Sequence, residues 1–125
     1  MKLQKKVVLI TGGSRGIGKA IAKLFAEQGA EIIITSKNQK KLQQASKEIK
    51  NSFFVAGDVR NNVDVKNVIN KTIKKFGRID ILVNNVGVLP KMKYLHKISE
   101  REWNETIDVN LNSHFRFTKA VIPYM

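Results

Sequence analysis

Between the apolar run Val7-Val8-Leu9-Ile10 and an amphipathic stretch lie Thr11-Gly12-Gly13-Ser14-Arg15-Gly16-Ile17-Gly18. A strand that passes through such a turn into a helix leaves backbone N–H groups unpaired at the helix N-terminus, where the helix dipole favours an anion. The glycines read as having separate jobs. Gly12 permits a tight turn, Gly16 lets a pyrophosphate approach the backbone, and Gly18 lets helix and strand pack closely. Three glycines in this register, with a strand before and a helix after, point to a nucleotide pyrophosphate rather than to an ordinary turn.

Other residues could serve the same ligand. Asp58 closes the third apolar run, at the carboxyl end of an expected parallel strand. It can accept a hydrogen bond from an exocyclic amine there, or cap the turn that follows. Asn84 and Asn85 follow the fourth run; they can bridge neighbouring strands beside a ribose or simply form a turn. Asn110 falls on an apolar helix stripe seven residues after Trp103 and so has to find hydrogen bonds inside, in a catalytic or a purely structural role. The second run ends in Thr35-Ser36-Lys37, without the acid that would bond a ribose diol and repel a 2′-phosphate. Arg15 and Lys37 could both face such a phosphate, although Lys37 also reads as one more surface lysine among 23 lysines and arginines. There are no cysteines. His96 lies in a polar loop, His114 reads as a helix-surface or packing residue, and no cluster has metal-ligand spacing.

The elements that must position these residues alternate along the chain. Ile17, Ala20, Ile21, Leu24 and Phe25 follow helical spacing up to Gly29. Ile32-Ile33-Ile34 is a strand of the kind buried on both faces, and Leu42, Ala45 and Ile49 mark the next helix. Phe53-Phe54-Val55 is the third strand. Asn61 offers an N-cap to a helix carrying Val65, Val68, Ile69, Thr72 and Phe76, closed by Gly77. Ile81-Leu82-Val83 is the fourth strand, and a polar loop containing Pro90 runs from Val88 to Ile98. Ser99 and Glu102 form a capping-box signature for a last helix with Trp103, Ile107, Leu111, Phe115 and Ile122 along one face, which Pro123 should end or kink. The order βαβαβαβα predicts an α/β parallel sheet with helices on both faces, and the glycine turn makes it a Rossmann-type doubly wound sheet with strand order 3-2-1-4. It stops after four βα units where such sheets normally have six strands. Residues 1–125 thus read as a single, incomplete dinucleotide-binding domain.

The net charge of +13 raises nucleic-acid binding. The lysines are scattered through every element and rarely interleave with aromatics, and Lys40, Lys41, Lys47 and Lys50 fall on a solvated helix face. No nucleic-acid partner is expected. The first apolar run is too short for a signal peptide and no stretch approaches membrane-spanning length, so a cytoplasmic protein without a membrane partner is expected.

Taken together these segments resemble the short-chain dehydrogenase/reductase family along essentially the whole chain. Thr11 to Gly18 is similar to its Thr-Gly-x-x-x-Gly-x-Gly cofactor loop, bringing in Thr11, Gly12, Ser14, Arg15, Gly16, Ile17 and Gly18. Asp58-Val59 resembles the pair that meets the adenine. Asn84-Asn85-Val86-Gly87 resembles Asn-Asn-Ala-Gly, with Val86 adding two methyl groups where backbone and cofactor lie close, so that overpacking or a shifted turn is expected. Trp103 through Val109-Asn110-Leu111 resembles the helix bearing the family's catalytic asparagine, here Asn110. With Arg15, Ser36 and Lys37 and no acid, the pattern resembles members that prefer NADP(H) to NAD(H). The resemblance implies hydride transfer between nicotinamide and a small-molecule carbonyl or alcohol. The family's Tyr-x-x-x-Lys and its serine do not occur in these residues, so this chain is expected to be inactive alone. The alternative is a non-catalytic nucleotide-binding or interaction module. In either case the edge strand and the last helix are expected to favour self-association.

Overall fold

The computed structural model describes residues 1–125. Four parallel strands, β1 (Val7–Thr11), β2 (Glu31–Ser36), β3 (Ser52–Ala56) and β4 (Ile81–Val83), lie in the spatial order β3-β2-β1-β4, the order expected. The helices are α1 (Gly16–Glu27), α2 (Gln39–Glu48), α3 (Asn62–Phe76), α4 (Glu100–Ile107) and α5 (Ser113–Val121). Strand β1 is central: Val7 to Thr11 pair with Glu31 to Thr35 on one side, and Val8 to Ile10 with Ile81 to Val83 on the other.

The side-chain alternation of β1 and β2 feeds two cores. Val8, Ile10, Ile32 and Ile34 face α1 and α2 through Ala22, Ala26, Leu42 and Ala45. Val7, Leu9 and Ile33 face α3 and α5 through Val65, Val68, Ile69, Phe117 and Val121. A sheet covered on both sides needs apolar residues at successive positions, which is why these strands are continuous apolar runs. No helix is long and apolar enough to cross a membrane.

Helix ends form largely where polar and glycine signals place them. The Asn61 side chain accepts from Val63 N and Asp64 N, and Gly77 closes α3 with φ +73°. Ser99 and Glu102 make the reciprocal capping box of α4. Asn38, which the sequence reading did not single out, caps α2.

Helix faces differ from expectation in two places. On α1 the buried positions are Gly18, Ala22 and Ala26, while Ile17, Ala20 and Leu24 are exposed. The start of α1 lies so close to the β1 turn that a Cβ on Gly18 would stand 2.4 Å from the Gly12 carbonyl oxygen. Only small residues fit the face that meets the sheet, and the larger ones flank it or turn outward. The last helix is interrupted by a π-helical turn, Asp108–Asn112. Its core face is Val109, Ser113, Phe117 and Val121, whereas Trp103, Leu111, Phe115 and Ile122 of the expected stripe are exposed. This rod carries two apolar faces and the sheet covers only one. Pro123 lies in a closing 3-10 turn, Ile122–Tyr124. The Val88–Ile98 loop contains a 3-10 turn, Leu95–Lys97, and exposes Leu89, Met92, Tyr94 and Leu95, so it is less polar than expected.

Candidate functional site

A cleft of about 650 Å³ opens at the carboxyl ends of the strands, the place where open α/β sheets bind ligands. Its floor is the turn from β1 into α1. Gly12 and Gly16 there have φ +65° and +56°, and nothing lies within 4 Å of where a Gly16 Cβ would project. That unfilled space over the helix start is a cradle for a group brought close to backbone. No side chain caps α1, and its first turn holds no acid, so the donors that helix geometry leaves unpaired are available to an anion. The buried Ser36 Oγ, also in the lining, has no protein partner. These features fit a nucleotide pyrophosphate with its ribose.

Of the sequence-derived site residues, Gly12, Ser14, Arg15, Gly16, Ile17, Ser36, Lys37, Asp58, Val59, Val86 and Gly87 line this cleft. Thr11, Gly18, Asn84 and Asn110 stand behind or beside it. The Thr11 hydroxyl accepts from Asn85 N (3.0 Å) and Val86 N (3.3 Å) and donates to the Val83 carbonyl (3.4 Å). The Asn85 amide donates to the carbonyls of Thr11 (3.1 Å) and Gly12 (3.2 Å), so it bridges β1 to the β4 turn and also lines the cleft. Asn84 points elsewhere: its Nδ2 donates to Thr118 Oγ1 on α5 (3.2 Å).

Val86 stands against the turn from β1. A Cβ on Gly12 would lie 3.3 Å from Val86 Cγ2, so the glycine leaves the room the larger side chain needs. The loop after β4 is clipped from the π turn. Asn110 Oδ1 accepts from Val88 N (2.7 Å), Asn110 Nδ2 donates to the Val88 carbonyl (2.9 Å), and His114 Nε2 lies 3.3 Å from the Val86 carbonyl oxygen. The hydrogen bonds expected for Asn110 are therefore made to the loop backbone.

Between the ends of β2 and β3 the charges are paired. Asp58 Oδ1 accepts from the Arg60 backbone N (2.9 Å) and Nε (3.1 Å), and Oδ2 accepts from Nη2 (2.8 Å). Lys37 Nζ stands 4.0 Å from Oδ2. The Arg60 guanidinium holds the Asp58 carboxyl below its ordinary range against the opposing effect of burial. The turn-capping role weighed for Asp58 is thus present. Arg60, Asn38, Lys41 and, from α4, Glu102, Glu105 and Thr106 also line the cleft, and the sequence reading missed them. Only Arg60 had a local signal, two residues after an aspartate at the close of a strand. Arg116 had none: from α5 it donates to the Val59 carbonyl (3.3 Å) and to Asp108, fixing the β3–α3 loop against the π turn.

Residues 6–125 match the sequence profile described as short chain dehydrogenase. A 3-oxoacyl-(acyl-carrier-protein) reductase of Vibrio cholerae is 42% identical over 126 residues, covering 100% of this chain and 51% of that protein. Dehydrogenase/reductase SDR family member 4 of Caenorhabditis elegans is 34% identical over 129 residues, covering 99% and 50%. A crystal structure of 3-ketoacyl-(acyl-carrier-protein) reductase from Brucella melitensis, complexed with NADH, superposes with a TM-score of 0.94 at 32% identity, covering 98% of this chain and 50% of that one. The chain spans about half the length of the curated relatives it matches.

Proposed function

The chain belongs to the short-chain dehydrogenase/reductase family, and from that premise we propose that these residues form the cofactor-binding portion of an NADP(H)-dependent oxidoreductase. The observation that carries the reading is the uncapped start of α1, opening into the cleft beside Arg15 and Lys37 with no acid at the end of β2. The nicotinamide, when bound, supplies or accepts the hydride exchanged with a small carbonyl or alcohol compound.

This chain's own residues would bind and orient. The backbone from Gly12 to Gly18 takes the pyrophosphate, with Ser14 and Ile17 on its rim and Thr11 supporting it from behind. Ser36 faces the ribose, and Arg15 and Lys37 balance a 2′-phosphate. Asp58 and Val59 meet the adenine. The Asn84–Gly87 turn, fastened through Asn85 and Thr11, lies on the nicotinamide side. Asn110 holds Val88 and keeps the π turn open beside that end, in the position of the family's catalytic asparagine. No Tyr-x-x-x-Lys occurs in this sequence, so proton transfer to the substrate needs further residues and we expect no turnover by these residues alone.

The matching relatives are named as reductases and dehydrogenases, which supports an enzymatic role over a non-catalytic module. The exposed stripe of Trp103, Leu111, Phe115 and Ile122 supports association with further polypeptide. The same reading takes the setting to be cytoplasmic.

Fluorescence titration with NADPH and NADH tests the cofactor reading. NADPH should bind about tenfold more tightly, a preference worth about one charge-assisted contact, and Arg15→Ala with Lys37→Ala should remove it. Equal affinities that the substitutions leave unchanged would overturn the NADP(H) preference.

A further inference from the structure

Arg60 has no part in the assignments above, yet it shares the adenosine end of the cleft with Ser36, Lys37 and Asp58. Its side chain is 38% exposed, enough to meet a ligand. The guanidinium is held rather than free, because Nε and Nη2 both bond the Asp58 carboxylate while that carboxylate accepts the Arg60 backbone N–H. A guanidinium carries five N–H donors in a rigid fork. With Nε and Nη2 turned to Asp58, the Nη1 edge and the planar face are left to whatever enters. Lys37 Nζ approaches the same carboxylate at 4.0 Å. One acid therefore faces two cations from the ends of different strands, leaving an excess of one positive charge in the cleft that Ser36 also lines.

We propose that Arg60 is a specificity-determining residue for the adenosine end of the dinucleotide: Asp58 positions its guanidinium, and with Lys37 it forms a paired cation for a 2′-phosphomonoester. The inference rests on the reading that the cleft takes NADP(H). It makes Asp58 a positioning residue for the two cations in addition to any contact with adenine. A phosphomonoester bears close to two negative charges at neutral pH; Arg60 offsets the Asp58 carboxylate that would otherwise cancel Lys37, so the group meets net positive charge here. Glu105 and Asp108, from α4 and the π turn, add weaker electrostatic attraction for the Arg60 guanidinium.

Adenosine 2′,5′-bisphosphate and adenosine 5′-monophosphate carry only this end of the dinucleotide and differ by the group in question. Both should be titrated into the purified protein and its variants. The unsubstituted protein should favour the bisphosphate. Arg60→Gln should cut that preference about fivefold, the scale of a partly exposed charge pair, while leaving the monophosphate unchanged, and Arg60→Lys should recover part of it. Asp58→Asn is the sharper arm. Removing a negative charge should by simple electrostatics raise the preference, whereas loss of positioning lowers it. Equal weakening of both ligands by Arg60→Gln, no change in either, or a raised preference in Asp58→Asn would overturn the inference alone. An unsubstituted protein indifferent to the 2′-phosphate would overturn the NADP(H) reading together with it.

Discussion

At the start of α4, Ser99 and Glu102 satisfy one another's backbone N–H groups and Lys93 covers the glutamate. At the start of α1, across the same cleft, Arg15 caps nothing and no acid stands in the first turn. One helix begins closed and the other begins open. The difference separates two uses of the same unpaired donors. Where side chains complete them, the helix end contributes stability. Where they are left bare beside open space and positive charge, the local arrangement is poorer for folding and better for an anion. Asn61 on α3 and Asn38 on α2 side with α4, so α1 is the exception among the helices that begin from a loop.

The contrast can be broken or sharpened by substitution. Gly18→Ala should have the largest effect, about 3 kcal/mol lost in urea unfolding, because the new methyl meets the Gly12 carbonyl at 2.4 Å and backbone cannot give way as a side chain can. Next is a matched pair. Gly16 and Gly77 both have positive φ and open surroundings, so alanine at either should cost about 1 kcal/mol. Only Gly16→Ala should also lower dinucleotide affinity, about tenfold or more by titration, since its methyl enters the cradle. If Gly77→Ala did the same, the open start of α1 would not be a ligand site. Ser99→Ala should cost about 1 kcal/mol of stability and leave cofactor affinity unchanged, as Gly77→Ala does and Gly16→Ala does not.

The smallest effect is on acid titration. The Lys93 ammonium, and next the Ser99 N–H, lower the Glu102 pKa from 4.5 to about 2. A folded value below the unfolded one means that the contribution is fully present above about pH 4.5 and is lost as pH falls toward about 2. Amide signals of Ser99 and Glu102 should titrate in that window. Those of Gly16 and Ile17, with no acid in their turn, should not follow them.

Much of this contrast is legible in local sequence. The Thr11–Gly18 spacing, the Asn61 cap, the Ser99–Glu102 box and the apolar runs each depend on neighbours a few residues away, and together they lead to the strand order. What escaped depends on contacts distant in the chain. The α1 core face is Gly18, Ala22 and Ala26 rather than the larger residues because of how near the helix lies to Gly12. The bond from Arg116 to Val59 joins residues 57 apart. The exposed side of the last helix had the same apolar periodicity as its buried side, and periodicity alone does not say which of two such faces meets a sheet.

The π turn at Asp108–Asn112 sets the angular phase of everything after it. An α-helix advances about 100° per residue, and a π turn accommodates the equivalent of one residue beyond the α-helical repeat. If the same residues closed into a continuous α-helix instead, the extra one would no longer be absorbed and α5 would swing by about that angle relative to α4. Phe117 and Val121 would leave the core, residues of the solvent-facing stripe would turn toward α3, and the Asn110 amide would lose its grip on Val88. The widened turn is therefore what keeps every later position in phase with the core: replacements can be absorbed one side chain at a time, whereas loss of the π geometry at full length would reassign them all.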